Sequence, residues 1–221
     1  MIVEFVGMSC TGKSTLVVAV AEELASRRIS VERHEAFRRH DVHGRTRPQR
    51  ELRADRRRGA MRAPGLLLVL WSVRHDERRR KAMELQLRTV GYTHRLKEAP
   101  DVHLLDEGPM KTMPKGRPWR GWQLSILRRG LPRTDRAVHV VCDPEVRVDR
   151  VLATGRKFAR GRSREWLLEH ERQVLPVVEE LLTVRADEPL VVDPTEESDA
   201  VTRVADWIEH ELGLVRSTRR G

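Results

Sequence analysis

Residues 1–20 read MIVEFVGMSCTGKSTLVVAV, and the fold turns on the eight in the middle, Gly7-Met8-Ser9-Cys10-Thr11-Gly12-Lys13-Ser14. They match G-x-x-x-x-G-K-[ST] at every fixed position. The apolar run before them, residues 1–6, reads as a short buried strand. After them Leu16, Val17, Val20 and Leu24 recur at helical spacing. Strand, glycine loop and helix are the setting in which this pattern cradles phosphate. The glycines allow backbone conformations that turn successive N–H groups toward one anion. The helix start adds the positive end of its dipole. Lys13 reaches the β- and γ-phosphates, and Ser14 offers its hydroxyl to Mg²⁺. The expected nucleotide-binding set is Gly7, Met8, Ser9, Cys10, Thr11, Gly12, Lys13, Ser14 and Thr15, with ATP taken as donor on frequency and GTP the other option. Cys10 reads as a small filler rather than a nucleophile.

Outward from this loop, strands and helices alternate. Residues 30–35 (SVERHE), 102–106 (VHLLD), 137–142 (AVHVVC) and 189–193 (PLVVD) read as further strands, mostly apolar runs suited to burial on both faces. Helical patterns cover residues 13–28, 65–91, 116–130, 144–154, 164–184 and 197–212, with Pro144 in a first turn and Pro176 inside a helix. Residues 36–63 are polar and arginine-rich, and read as a loop with helical pieces. The expected fold class is α/β: a three-layer sandwich with a five-stranded parallel sheet, helices on both faces and an arginine-rich lid. No internal repeat or linker divides residues 1–221, so one domain is expected.

The run at 102–106 ends in Asp106-Glu107-Gly108. In proteins with this phosphate loop a carboxylate at such a strand end holds Mg²⁺, directly or through water. Asp106 is the first choice and Glu107 the second.

Composition bounds the rest. The chain has 221 residues, formal net charge +10, 34% charged residues, 4% aromatic residues and two cysteines. Two cysteines give neither a disulfide framework nor a metal-ligand spacing, which points to a reducing compartment. No signal peptide is visible, and no apolar stretch is long enough to span a bilayer. A cytoplasmic protein without membrane contact is therefore expected. The positive balance suits a polyanionic partner such as a nucleotide or a phosphorylated metabolite. The low aromatic content leaves little for base stacking and speaks against nucleic acid.

With GMSCTGKS at the start, LLDEG near the middle, and DPEVRVDRVLATGR followed by the basic loop KFARGR, the chain resembles the thymidylate kinase and deoxynucleoside kinase group. The resemblance covers most of the chain in element order. It implies transfer of the ATP γ-phosphoryl to a nucleoside or nucleoside monophosphate, with Mg²⁺ as companion ion. It also implies a lid at about residues 155–163 whose Arg156, Arg160 and Arg162 meet the transferred phosphate, Arg150 standing on the helix before it. Guanidinium forks suit that task because they neutralise charge developing on the equatorial oxygens. The group carries a Glu-Pro at the end of the second strand, whose glutamate acts as base. Here the place reads His34-Glu35-Ala36, making Glu35 the counterpart without the proline. Arg74, on the long helical pattern, falls roughly where the group places an acceptor-contacting arginine. Asp193-Pro194-Thr195 sits where the group packs the ATP base against backbone. Where the group follows the third-strand acid with arginine, this chain has Glu107-Gly108, which removes one acceptor-site arginine. The segment at about 36–64 is an acceptor-side insertion, and a homodimer built on the long helix would fit the group.

Three functions are therefore carried forward. The first is a kinase with a nucleoside or nucleotide acceptor. The second is a kinase acting on a hydroxyl of another metabolite or an antibiotic. The third is a nucleic-acid-associated NTPase switch.

Overall fold

The computed structural model describes residues 1–34, 48–96, 101–106, 121–130, 134–156, 159–185 and 188–218. Five strands, β1 (Ile2–Val6), β2 (Val31–His34), β3 (Val102–Leu105), β4 (Arg136–Val140) and β5 (Leu190–Val192), form one sheet in the order β2-β3-β1-β4-β5. Every neighbouring pair is parallel. The helices are α1 (Lys13–Ser26), α2 (Gln49–Arg62), α3 (Gly65–Ser72), α4 (Glu77–Arg95), α5 (Gly121–Gly130), α6 (Pro144–Ala153), α7 (Arg164–Arg185) and α8 (Ala200–Thr218). The expected five-stranded parallel sheet with helices on both faces is the fold observed.

Parallel strands need crossovers, and the crossovers cover both faces. Val3 and Phe5 of β1, Val102 and Leu104 of β3, and Val138 and Val140 of β4 pack with Leu16, Val17, Val20 and Leu24 of α1 and Val204, Ala205 and Ile208 of α8. The alternate residues Val6 and Ala137 pack on the other face with Leu66 and Val69 of α3, Met83 and Leu87 of α4, and Leu182 of α7. Ile2 and Leu105 join Leu96 and Tyr92 there.

Two expectations about helices are corrected. The pattern at 65–91 is two helices: α3 stops at Ser72, and α4 restarts after Asp76, whose carboxylate accepts from the Arg79 N–H at 3.0 Å. An aspartate that caps a first turn lets a continuous apolar periodicity break. The arginine-rich stretch holds a full helix, α2, that packs along α4. This packing is close because two glycines face each other's backbone. A Cβ on Gly59 would stand 1.8 Å from the Leu87 carbonyl oxygen, and one on Gly91 1.8 Å from that of Asp55. Asp55 and Thr93 are buried along the same helix pair.

No helix among the described residues is long and apolar enough to cross a membrane.

Candidate nucleotide-phosphate site

β1 ends at Val6 and α1 begins at Lys13, so the six residues between them turn the chain within a short span. Gly7 starts the turn against β4. A Cβ there would stand 2.5 Å from the Val140 carbonyl oxygen, which admits glycine alone. Cys10 has φ 70° and Gly12 φ 88°, the left-handed conformations that rotate N–H groups to the concave side. The Thr11 hydroxyl donates to the Met8 carbonyl at 3.1 Å and closes the loop on itself. Gly12 is the N-cap of α1, yet no side chain caps this helix and its first turn holds no acid. The first N–H groups of a helix have no intrahelical partner. Here they lie beside a lysine, in a helix whose own first turn supplies no acid. That arrangement fits a nucleotide's phosphates.

Lys13 is 7% exposed, and its Nζ donates to both Asp106 Oδ1 and the Asp106 carbonyl at 2.5 Å. Asp106 in turn donates its N–H to the His34 carbonyl at 3.2 Å, so the ends of β2 and β3 meet at this pair. The first-choice acid is thus brought to the loop. Ser14 and Thr15 are exposed at the helix start. Ser14 hydroxyl and Asp106 carboxylate are oxygen donors of the kind Mg²⁺ takes.

A second layer holds the loop from behind. Arg147 of α6 is 2% exposed; it donates to the Ser9 carbonyl at 3.0 Å and pairs through two nitrogens with Glu171 of α7. Burial holds the Arg147 guanidinium below its usual pKa. Arg147 sits in step with Val148 and Val151 on the buried face of α6, and that periodicity is its signal in the sequence. Cys10 packs into the cluster of Val148, Val151, Ala159 and Leu167, with its Sγ 3.8 Å from the Thr154 hydroxyl. Beside Gly12 stands Pro194, whose Cγ would lie 3.3 Å from a Cβ at that position. The Asp193-Pro194-Thr195 turn therefore flanks the loop, with the Asp193 carboxylate accepting from the Thr195 N–H at 2.9 Å.

The segment expected to form a lid is described at Arg156 and at residues 159–163. Its base is fixed: Ala159 is buried against α6 and α7, donates to the Arg156 carbonyl at 2.9 Å, and accepts from the Arg162 N–H at 3.0 Å. Arg156, Arg160 and Arg162 are exposed, and among the described residues none pairs with a carboxylate. Arg162 lies 4.6 Å over the Trp166 ring. The next arginine behaves otherwise, since Arg164 is tied to Asp149 at 2.8 Å and Glu145 at 3.2 Å. Arg150 donates to the Cys142 sulfur at 3.8 Å.

Glu35 and Glu107 lie outside the described residues. Arg74 is exposed, stacks 4.3 Å over the Trp71 ring and donates to the Trp71 carbonyl at 3.3 Å. It does not line the neighbouring pocket. That pocket, of about 350 Å³, is bounded by Ser72, Val73, His75, Asp76, Arg79, Trp122 and Gln123. Gln123 donates to the Ser72 hydroxyl at 2.9 Å, and Arg79 lies 3.4 Å from Asp76. Val73 shares a core cluster with Val6, the last residue before the phosphate loop. Sequence reading missed this pocket because its residues come from α5 and the α3–α4 break, which join only in the fold.

No protein-family model matches the chain, and none of the curated proteins does. Among solved structures it is similar to YorR protein from Bacillus subtilis, in complex with phosphorylated GDP. That likeness has 13% identity over 100% of this chain and 99% of that one, with a TM-score of 0.44. It is also similar to deoxyadenosine kinase from M. mycoides, with products dCMP and dCDP bound, at 13% identity over 97% of this chain and 100% of that one, with a TM-score of 0.47.

Proposed function

We propose that the chain is an ATP-dependent phosphotransferase that moves the γ-phosphoryl to a small acceptor, in the first instance a nucleoside or nucleoside monophosphate. The observation that carries this reading is the buried Lys13–Asp106 pair at the foot of an uncapped, acid-free start of α1. The pair holds a cation where a phosphate would arrive, with its charge balanced by Asp106 until then. On binding, Lys13 exchanges part of its contact with Asp106 for phosphate oxygens. Asp106 and Ser14 would hold Mg²⁺, which supplies charge neutralisation between the phosphates. Arg156, Arg160 and Arg162 are solvated guanidinium groups on an anchored base, suited to close on the transferred group and exclude water. Glu35, directly after β2, is the proposed base toward an acceptor hydroxyl. Pro194 beside Gly12 supports a place for the nucleotide base along the β5–α8 turn.

The pocket at the α3–α4 break narrows the acceptor class. Among the described residues its one cation, Arg79, already has Asp76 beside it, and its other polar groups are a hydroxyl, an amide, an imidazole and the Trp122 indole. Such a lining suits a neutral acceptor rich in hydroxyl or amide groups, a nucleoside or another hydroxylated metabolite, better than a phosphorylated one.

The test is ADP release from Mg-ATP, with and without pools of nucleosides, nucleoside monophosphates and hydroxylated metabolites. Release should depend on one pool. Lys13→Ala should lower kcat by about 10²–10³-fold while the chain stays folded, the loss typical of one preorganised donor to a developing charge. Release that ignores every acceptor would leave an NTPase switch instead.

A further inference from the structure

One polar cluster, partly buried between β2 and β3, lies outside the residues assigned to phosphate above. Glu32 and His34 stand two residues apart on β2 and so share a face. The parallel register sets Glu32 opposite His103 of β3. His34 Nε2 lies 2.9 Å from His103 Nδ1, and Glu32 Oε2 lies 3.6 Å and 3.9 Å from those two nitrogens. All three donor atoms fall within 4.8 Å of one another. Both imidazoles are buried, while the Glu32 side chain is 53% exposed. The Tyr92 hydroxyl of α4 sits 2.6 Å from His34 Nδ1.

We propose that Glu32, His34 and His103 form a binding site for a divalent transition metal of the zinc class, with the fourth position open to water. Two imidazoles and one carboxylate are the donor set of a borderline ion, whereas Mg²⁺ and Ca²⁺ take oxygen. Tetrahedral donors at about 2.0–2.1 Å from an ion stand roughly 3.4 Å from each other. The triangle of 2.9, 3.6 and 3.9 Å closes on that geometry through shifts of a few tenths of an ångström. The Tyr92 oxygen, accepting from His34 Nδ1–H, would leave the Nε2 lone pair toward the ion, the supporting contact that metal-bound histidines ordinarily have. The exposed carboxylate gives the ion a way in. β2 is an outer strand of the sheet. An ion here would tie it to β3 next to the His34 carbonyl that holds Asp106. The site is a structural brace behind the phosphate loop, separate from the Mg²⁺ that accompanies the nucleotide.

The experiment uses the full chain, stripped with chelator and desalted into magnesium-free buffer. Co²⁺ is followed by its visible absorption, and Zn²⁺ by competition with a chromogenic chelator. The expected result is one equivalent per chain, a tetrahedral cobalt spectrum and a raised Tm with Zn²⁺. Glu32→Gln should weaken binding about tenfold or more, and His103→Gln should abolish it. Lys13→Ala should keep the full equivalent. Absence of stoichiometric uptake, uptake unchanged in Glu32→Gln, or loss of uptake in Lys13→Ala would each overturn the proposal. Glu32→Gln lies at an exposed position, so it decides the matter even if His103→Gln does not fold.

Discussion

The two faces of the sheet are built from alternate residues of the same strands, yet they do different work. The face toward α1 and α8 takes Val3, Phe5, Val102, Leu104, Val138 and Val140, all aliphatic or aromatic. The face toward α3, α4 and α7 takes Ile2, Val6, Ala137 and Leu105, but also the buried Glu4, His34, His103 and His139. Burying apolar surface is non-directional and tolerant, so one face serves as foundation. Buried ionisable groups are costly unless their neighbours are fixed. They accumulate on the other face, the one that carries the α3–α4 pocket and the histidine cluster.

The largest expected effect tests the foundation. Phe5 is 1% exposed on the apolar face, and Phe5→Ala should cost about 3–5 kcal/mol of unfolding free energy, read by denaturant titration. A cost under 1 kcal/mol would mean that this face is not the one holding the sheet together. Next comes the helical cover of the polar face. Gly91→Ala would place a methyl carbon 1.8 Å from the Asp55 carbonyl oxygen, so α2 and α4 must separate. The expected loss is about 1–3 kcal/mol, with a lower Tm, because overpacking against backbone cannot be relieved by a rotamer change. The smallest effect sharpens the contrast through pH. Burial pushes the His139 imidazole below its ordinary pKa, against a raising influence of Glu179. The unfolded chain then takes up a proton near pH 6.5 that the folded chain refuses. Stability from this group is complete above about pH 6.5 and falls as pH drops through that value toward the lower folded pKa. His139→Gln should flatten the wild-type slope of unfolding free energy between about pH 6.5 and 5. An unchanged slope would remove His139 from the account.

These differences track what could be read in advance. GMSCTGKS between an apolar run and a helical pattern is a local signal, because a phosphate cradle is made by consecutive N–H groups of one stretch of chain. β1, β3 and β4 are legible for a similar reason, since two-sided burial makes their apolar runs continuous. The break at Asp76 is not legible in the sequence, as a capping aspartate inside a helical period looks like any polar residue. Arg147 and Glu171 stand 24 residues apart, and nothing in either helix names the other. The pocket between the α3–α4 break and α5 has the same character, with Ser72 and Gln123 separated by 51 positions.

The sequence by itself determined the phosphate loop, the parallel α/β sheet and the position of Asp106 at a strand end. Each follows from short-range periodicity and from backbone conformations that few residue types allow. Only the tertiary structure decided that Lys13 rests on Asp106, that Arg147 holds Ser9, and that Glu32, His34 and His103 converge. Those contacts depend on strand order and register, which place residues tens of positions apart within hydrogen-bond reach and which no local pattern encodes.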